Sequence, residues 1–349
     1  MPYILKYSLK RIALLLLTAF IILTITFFLI KLLPDGAITG NDVAQKAFCD
    51  DQVSKGYYLV FKSEQTGLGN LIISPYTDPT GVTWYYYRKP LIQQYGAWLY
   101  GIFTKFDWGT SSAIDTGNTA MSIILHRLRP SIVINIFALI VSLPLGFLFG
   151  IIAALNKNKP IDHALSTIVM IFISVPSFVI ISLLMLVLSF KTHLLESHWP
   201  LAGAPISEYA KAMVIPVLSL TFGTVAGFTR YTRAELCEVM SSEFLLLART
   251  KGLSKRQCVV RHALRNSMVP IVPMVIGEFI GILGGSMILE QLYGINGIGS
   301  LFIECISFKD WNVLLVDMAT YTLIGLFANL FVDLSYGIVD PRIRMGASN

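Results

Sequence analysis

The sequence has 349 residues, of which 54% are hydrophobic and 14% are charged. Soluble globular domains usually carry about 25% charged residues, so this composition excludes a soluble domain and indicates an integral membrane protein. The net charge of +6 would suit nucleic acid, but the basic residues cluster in short segments between apolar stretches. That distribution favours a role in membrane orientation, and we predict no nucleic-acid partner.

Six apolar segments are long enough, or nearly so, to cross a bilayer. About 20 apolar residues at 1.5 Å per residue cross ~30 Å of hydrocarbon, and in lipid the backbone must satisfy its own hydrogen bonds as a helix. In chain order the segments are Ile12–Leu32, Ser131–Leu155, Ala164–Phe190, Ala212–Phe228, Ser267–Leu289 and Val313–Ile338. The predicted fold class is therefore an all-α polytopic membrane protein with six transmembrane helices.

The first segment, within residues 1–33, has features of both a signal peptide and a membrane anchor. Lys6, Lys10 and Arg11 precede its apolar stretch, as basic residues do in a signal peptide. The stretch is longer than the ~7–15 residues of a signal-peptide core, and no clear small-residue cleavage site follows it. We therefore predict an uncleaved N-terminal anchor helix.

Residues 34–130 mix glycine, proline and polar residues with aromatic runs and contain no apolar span. Tyr57–Lys62 and Thr83–Arg88 have the β-branched and aromatic content typical of strands. Apolar residues recur at helical spacing in Thr119–Arg129, which predicts a surface helix leading into the second span. We predict a small mixed extracytoplasmic insertion that ends in this helix.

Residues 131–340 hold the other five predicted spans and form the membrane core, followed by a tail at 341–349. The segment 231–266 between the fourth and fifth spans is strongly basic. Its basic residues are Arg233, Arg249, Lys251, Lys255, Arg256, Arg261 and Arg265. Because basic loops stay on the cytoplasmic side, we predict that this segment and both termini are cytoplasmic.

Within this basic segment the sequence specifies two helices joined by a tight turn. Glu243–Lys251 consists of helix-forming residues, and Gly252 stands where a helix stops, because glycine accepts a left-handed backbone. Leu253 is placed for the apolar contact that accompanies such a stop. Ser254 and Gln257 then match a capping box, which opens a second helix towards the fifth span.

Two interpretations of this segment stay open. A solvated loop that only sets topology needs lysines and arginines in any order. A docking element needs a defined shape, and this segment has a glycine stop, a cap and an apolar stripe with Phe244, Leu247 and Ala248 on one side. These features favour a docking element that presents a short helix to a soluble partner.

Several residues inside the spans are candidates for a translocation path: Glu278, Gly281, Gly285 and Pro176. An ionisable residue within a span indicates function, although Glu278 could instead be paired or hydrated near the end of its helix. Gly277, Gly281 and Gly285 recur every four residues, a spacing that favours close helix packing over substrate contact. We predict no catalytic and no metal-binding residues.

The stretch Ala248–Asn266, ARTKGLSKRQCVVRHALRN, resembles the cytoplasmic coupling loop of permease subunits in ABC-type importers. The resemblance is narrower to the oligopeptide, dipeptide and nickel branch, and within it to the first, B-type permease of the oligopeptide system. In the broad pattern E-A-A-x-x-x-G, Ala248 and Gly252 match the second alanine and the glycine, while Leu246 and Leu247 stand at Glu and the first Ala. Further stretches similar to motifs of this branch are LLPDG (32–36), SVPSF (174–178), GGSMILEQLYGINGIG (284–299) and NLFVDLSYGIVDPRIR (329–344).

The resemblance implies a pore-forming subunit without its own ATP site, and no G-x-x-x-x-G-K-[ST] phosphate-binding motif occurs in the sequence. It implies a second homologous permease, two cytosolic ATPases that bind ATP with Mg²⁺, and an extracytoplasmic binding protein that delivers substrate. The implied cargo is a peptide. The residues that it assigns to ATPase coupling are Glu243, Phe244, Leu247, Ala248, Arg249, Lys251, Gly252, Leu253 and Ser254.

Other functions stay open at this point. An ion-coupled secondary transporter would need ionisable relays in several spans, and an intramembrane enzyme would need a catalytic motif such as G-x-S-x-G or H-E-x-x-H, which the sequence lacks. A sensor or anchor protein would need a larger signalling domain. Within the importer interpretation, oligopeptides, dipeptides, and nickel or a metal–chelator complex are the alternative cargoes.

Overall fold

The computed structural model describes residues 2–34, 38, 40–69, 71–254, 257–281 and 285–339. The helices of the described chain are α1 (Pro2–Lys31), α2 (Asp42–Ser54), α3 (Leu91–Lys105), α4 (Ala120–Leu155), α5 (Pro160–Ser174), α6 (Ser177–Leu184), α7 (Ile206–Met240), α8 (Glu243–Thr250), α9 (Leu264–Gly281), α10 (Met287–Tyr293), α11 (Ile298–Phe308) and α12 (Trp311–Val339). The strands are β1 (Tyr58–Phe61), β2 (Tyr76–Thr77) and β3 (Thr83–Arg88). Two π-helical segments, Met185–Lys191 and Cys258–Ala263, continue α6 and lead into α9. The predicted tail at 341–349 lies outside the described residues.

Among the described residues, five helices are long and apolar enough to cross a membrane, and a bent pair adds a sixth if it is one span. The bent pair is α5 and α6, which meet at 97°. The third predicted span, Ala164–Phe190, is therefore not one continuous helix but is divided between α5 and α6 at a break. Pro176 lacks an N–H and disfavours a helical Val175, whose backbone is extended (φ −94°, ψ 117°), so the helix breaks there.

The other predicted spans correspond to longer or shifted helices. The short fourth segment, Ala212–Phe228, is part of the 35-residue helix α7. The helix predicted over Thr119–Arg129 is present and is continuous with the second span, because α4 runs through Pro130 as one 36-residue helix. Ile124 and Ile134 on either side of that proline are buried, so packing offsets the backbone hydrogen bond that proline removes.

The fifth predicted span ends earlier than expected. Its helix α9 ends at Gly281, and Leu289 belongs instead to the separate short helix α10. Gly285, just before α10, has a left-handed backbone (φ +63°), a conformation that interrupts a helix and that glycine adopts without strain.

The chain divides into two compact units, one of residues 1–15, 129–300 and 324–349, and the other of residues 16–128 and 301–323. The second unit contains a three-stranded antiparallel sheet in the order β1-β3-β2. The prediction of strands at Tyr57–Lys62 and Thr83–Arg88 is confirmed, whereas β2 was not predicted. Phe48, Cys49 and Tyr86 form the buried core beneath this sheet.

In the first unit, α4 and α7 approach closely at two glycines. A Cβ on Gly146 would lie 2.5 Å from Cβ of Phe228, and one on Gly150 would lie 2.5 Å from Cβ of Thr232. Glycines four residues apart present one smooth face that lets two membrane helices touch. The close helix packing that small residues permit is therefore found on α4, at Gly146 and Gly150.

The prediction that placed such a face on Gly277, Gly281 and Gly285 is correct only at Gly277. There a Cβ would meet Val332 at 3.4 Å, while Gly281 has open space around it and Gly285 lies outside α9. A regular spacing in the sequence did not reveal which of the glycines faces a neighbouring helix.

Candidate functional site

The predicted coupling helix is present as α8, and its C-terminus has the predicted stop. Gly252 has φ +87°, and its N–H donates to the carbonyl of Arg249 at 3.0 Å. The N–H of Leu253 donates to the carbonyl of Ala248 at 3.4 Å. This pair of bonds is the Schellman motif, which satisfies carbonyls at the end of the helix and fixes the direction of the following chain.

The predicted capping box is also present. The Ser254 N–H donates to Oε1 of Gln257 at 3.0 Å, and the Gln257 N–H donates to Oγ of Ser254 at 3.3 Å. Two backbone donors at the start of the second helix are thereby satisfied reciprocally. The turn from α8 into the helix that returns to the membrane is therefore closed at both ends by local hydrogen bonds.

One side of α8 is anchored in the first unit. Leu245 is fully buried, and it belongs to an apolar cluster with Leu236, Cys258 and Ala263. Ala248 and Leu253 are partly buried against the same cluster. The short helix is thus packed against the end of α7 and the π-helical segment, which gives it a definite orientation.

The opposite side of α8 is apolar and exposed. Phe244, Leu246 and Leu247 are 45%, 63% and 57% exposed. The remaining predicted coupling residues on this segment are also exposed: Glu243, Arg249, Lys251, Gly252 and Ser254. Clustered exposed apolar side chains indicate an interaction surface. The stripe predicted on Phe244, Leu247 and Ala248 is therefore divided, because Ala248 turns inward while Leu246 joins the exposed group.

An ion pair joins α5 to α7. Nε and Nη2 of Arg233 donate to Oδ1 and Oδ2 of Asp162 at 2.5 and 2.7 Å. Asp162 is 1% exposed in its side chain, and Oδ2 also accepts the Asn158 N–H at 2.9 Å. A two-point arginine–carboxylate contact fixes both distance and orientation. It therefore holds the first turn of the bent pair against α7.

A second carboxylate, Glu290 on α10, is buried at 2% exposure. Its Oε1 accepts from the Ser131 hydroxyl at 2.7 Å and from the Ser286 N–H at 3.2 Å, and its Oε2 accepts from the Ser300 N–H at 3.0 Å. Ser131 also accepts the Ile298 N–H at 3.0 Å. Burial raises the pKa of the Glu290 carboxyl, while these donors act in the opposite direction.

Three glycines make room for the Glu290 carboxylate and its loop. A Cβ on Gly285 would lie 2.5 Å from Oε1, and one on Gly297 would overlap Oε2 of Glu290 and Oγ of Ser131. A Cβ on Gly299 would lie 2.7 Å from the Met287 nitrogen. The carboxylate thus ties α10, the loop after it and the beginning of α11 to Ser131 on α4.

The residues predicted for the translocation path are not brought together as one site. Glu278 on α9 lies beside the Thr224 side chain of α7, and it is exposed in the single chain. Gly281 ends α9, Gly285 lies against Glu290, and Pro176 is the exposed N-cap of α6 at the bend. Each position therefore has its own surroundings.

Comparison with known proteins defines the class. Residues 146–345 match the family described as the inner membrane component of binding-protein-dependent transport systems. This match takes in more than half of the chain, so the chain belongs to that family of importer permeases, and the predicted resemblance is confirmed.

Curated relatives span nearly the whole chain. A dipeptide transport system permease, DppB of Lactococcus lactis subsp. cremoris, is 34% identical over 97% of this chain and 99% of its own. An oligopeptide transport system permease, OppB of Haemophilus influenzae, is 31% identical over 97% and 99%. A solved methionine ABC transporter, MetNI, covers 62% of this chain and 97% of its own at 17% identity with a TM-score of 0.45, a likeness too distant to add to the family assignment.

Sequence reasoning missed both Glu290 and the ion pair between Asp162 and Arg233. A carboxylate within an apolar run, followed by three glycines in six residues at 294–299, was the available signal for Glu290. The partners of these carboxylates could not be predicted, because Ser131 is 159 residues away from Glu290 and Arg233 is 71 residues away from Asp162.

Proposed function

We propose that this chain is a pore-forming permease subunit of an ATP-driven importer that translocates peptides, with oligopeptides as the main cargo. The observation that carries the proposal is α8, which is anchored by Leu245 while Phe244, Leu246 and Leu247 stand outside. An exposed apolar surface on a short helix of fixed orientation can bind in a cleft of a soluble ATPase. The full-length similarity to dipeptide and oligopeptide permeases supports the cargo class.

In this proposal the chain works with a second homologous permease, two cytosolic ATPases and an extracytoplasmic binding protein in a bacterial plasma membrane. ATP with Mg²⁺ is bound by the ATPases, and this chain contributes no catalytic residue. The α8 segment and both termini face the cytoplasm, in keeping with the basic residues around α8. Closure of the ATPase pair moves α8 as a rigid body, and its packing on α7 passes the motion to the spans.

Reconstituted transport tests this proposal. The chain, purified with its companion subunits and placed in proteoliposomes with the binding protein, is expected to accumulate labelled tri- to pentapeptides only when ATP is present. Uptake is expected to persist with an uncoupler. Uptake that follows an ion gradient and ignores ATP would support a secondary transporter instead, and selective uptake of dipeptides or of nickel would replace the oligopeptide assignment.

Glu278 is proposed to contact the translocation path. Its side chain is exposed in the single chain and lies beside Thr224 on the neighbouring helix, so it is accessible to a second permease or to passing cargo. Glu278→Gln is expected to change the KM or the maximal rate for peptides at least several-fold, with normal assembly. Kinetics indistinguishable from the parent protein would leave Glu278 a structural residue.

A further inference from the structure

Helix α3 of the insertion is unusually apolar for a segment outside the spans. It reads LIQQYGAWLYGIFTK, and its only charged residue is Lys105 in the last turn. The sequence predicted a mixed extracytoplasmic insertion in this region. Soluble domains carry about 25% charged residues, so a 15-residue helix with a single charge is unusually apolar for a segment surrounded by water.

One side of α3 packs against the end of the first span. The hydroxyl of Tyr95 hydrogen-bonds Oγ1 of Thr24 at 2.7 Å. The ring centroid of Phe27 lies 5.4 Å from that of Tyr95 and 5.0 Å from that of Trp98. Trp98 is 3% exposed and Phe27 is fully buried. This aromatic contact attaches the turn of α3 from Tyr95 to Trp98 to α1.

The contact also sets the depth of α3. Thr24 and Phe27 stand seven and four residues before Lys31, the last residue of the span. At 1.5 Å per residue, these contacts lie about 10 and 6 Å inside the end of the span. Interfacial helices bury their apolar faces ~5–10 Å into the headgroup and acyl boundary, so α3 lies at the matching depth.

The next face of α3 is apolar and uncovered within the described chain. Ile92 and Phe103 are 69% and 76% exposed. At about 100° per residue, they lie ~60–80° round the helix from Tyr95, on one side of the contact with α1. Gln93 lies about 100° beyond Ile92, and it is exposed as well. The helix therefore presents a contact face, an apolar face and a polar face in that order.

The part of α1 that α3 contacts also carries exposed apolar side chains. On the same stretch of α1, Ile25 and Leu29 are 54% and 61% exposed, as expected for side chains that contact acyl chains in a membrane span. A helix that packs on this stretch at this depth, with its apolar face turned outwards, is surrounded by the same lipid as the span.

We propose that α3 is a membrane-embedded interfacial helix of the insertion, in the leaflet at the Lys31 end of the first span. Ile92 and Phe103 contact lipid acyl chains, and Gln93 faces the headgroups and water. The insertion is thereby attached to the membrane beside α1. The inference depends on the membrane span alone and is independent of the cargo.

Collision accessibility of spin labels tests the proposal. The four native cysteines, Cys49, Cys237, Cys258 and Cys305, are free and buried, so a single introduced cysteine can be labelled selectively. Phe103→Cys and the matched polar-face variant Gln93→Cys are labelled with a nitroxide in the full complex within lipid nanodiscs. Dissolved oxygen partitions into lipid, whereas a neutral nickel chelate stays in water.

The label at position 103 is expected to collide at least several-fold more with oxygen than the label at position 93, and less with the nickel chelate. High nickel accessibility at both positions would place α3 in water and overturn the proposal. Low accessibility to both reagents at position 103 would show that a protein, such as the second permease or the binding protein, covers this face. Since Phe103 is exposed, its replacement removes no core contact, and Ile92→Cys provides an independent second reading of the same face.

Discussion

Replacing Gly252 with valine is expected to abolish peptide uptake while the chain remains in the membrane and its ATPase partners still hydrolyse ATP. Gly252 has φ +87°, and within the described chain no atom other than those of its neighbours in sequence lies within 4 Å of where its Cβ would be. A valine there meets no clash, but its backbone would be strained by about 1–3 kcal/mol.

A change in the backbone at the end of α8 would relieve this strain. The Gly252 and Leu253 N–H groups hold the end of α8, and their bonds require the left-handed residue between them. If valine moves to negative φ, both bonds are lost and α8 points in a new direction relative to the chain that returns to the membrane. We therefore expect altered coupling, with the spans themselves intact.

The matched control is Gly67→Val. Gly67 has φ +90° and also has no atom within 4 Å of a Cβ, so the backbone strain is the same, but it lies in the insertion and outside the coupling segment. Uptake and ATP hydrolysis are measured together in proteoliposomes. Normal uptake by Gly252→Val, or an equal loss in Gly67→Val, would remove the proposed role of the α8 stop.

Removing the Glu290 carboxylate is expected to lower both stability and transport. Glu290→Ala leaves the Ser131 hydroxyl and the Ser286 and Ser300 N–H groups without their acceptor in a buried site. An unsatisfied buried donor costs about 1–3 kcal/mol, so the free energy of unfolding is expected to fall by about 2 kcal/mol or more.

Even the isosteric Glu290→Gln is expected to be disruptive. A glutamine offers one carbonyl oxygen, so its amide NH₂ must face either the Ser300 N–H or the pair of donors at Oε1. The surrounding donors fit the carboxylate, because Ser131 already accepts the Ile298 N–H and so directs its own proton to Glu290.

Glu304→Gln is the control for a lost carboxylate charge. Glu304 pairs with Arg127 at 2.7 Å, with side chains 24% and 19% exposed, so water reaches both groups and its loss is expected to cost less than the loss of the buried Glu290 carboxylate. Thermal unfolding can be followed by a thiol-reactive dye, since the native cysteines are buried. A melting temperature of Glu290→Ala equal to that of Glu304→Gln would contradict the role given to the buried carboxylate.

Much of the candidate site could be predicted because it is local. The stop at Gly252 and the capping box of Ser254 and Gln257 depend on residues at most five positions apart, and the structure has both. The strands at Tyr58–Phe61 and Thr83–Arg88 follow from their own residue types in the same way. Short-range rules of backbone geometry are sufficient for such features.

The predictions that failed depend on contacts between residues that are far apart in the sequence. Whether Pro176 bends a helix or breaks it by 97°, and whether Gly150 or Gly281 touches a neighbouring helix, depends on what packs nearby. The spacing of prolines and glycines in the sequence is the same whether or not a neighbouring helix packs against them. The face of α8 that turns inward is likewise decided by the cluster around Leu245.

The sequence by itself therefore determined the membrane class, the approximate spans, the turn after α8 and the family, because apolar length, charge placement and caps are properties of contiguous residues. Only the tertiary structure decided that Glu290 meets Ser131, that Arg233 meets Asp162 and that α3 lies on α1. Such contacts join residues 71 to 159 positions apart. Buried polar groups must find partners wherever the fold places them, so their pairing becomes visible only when the helices are packed.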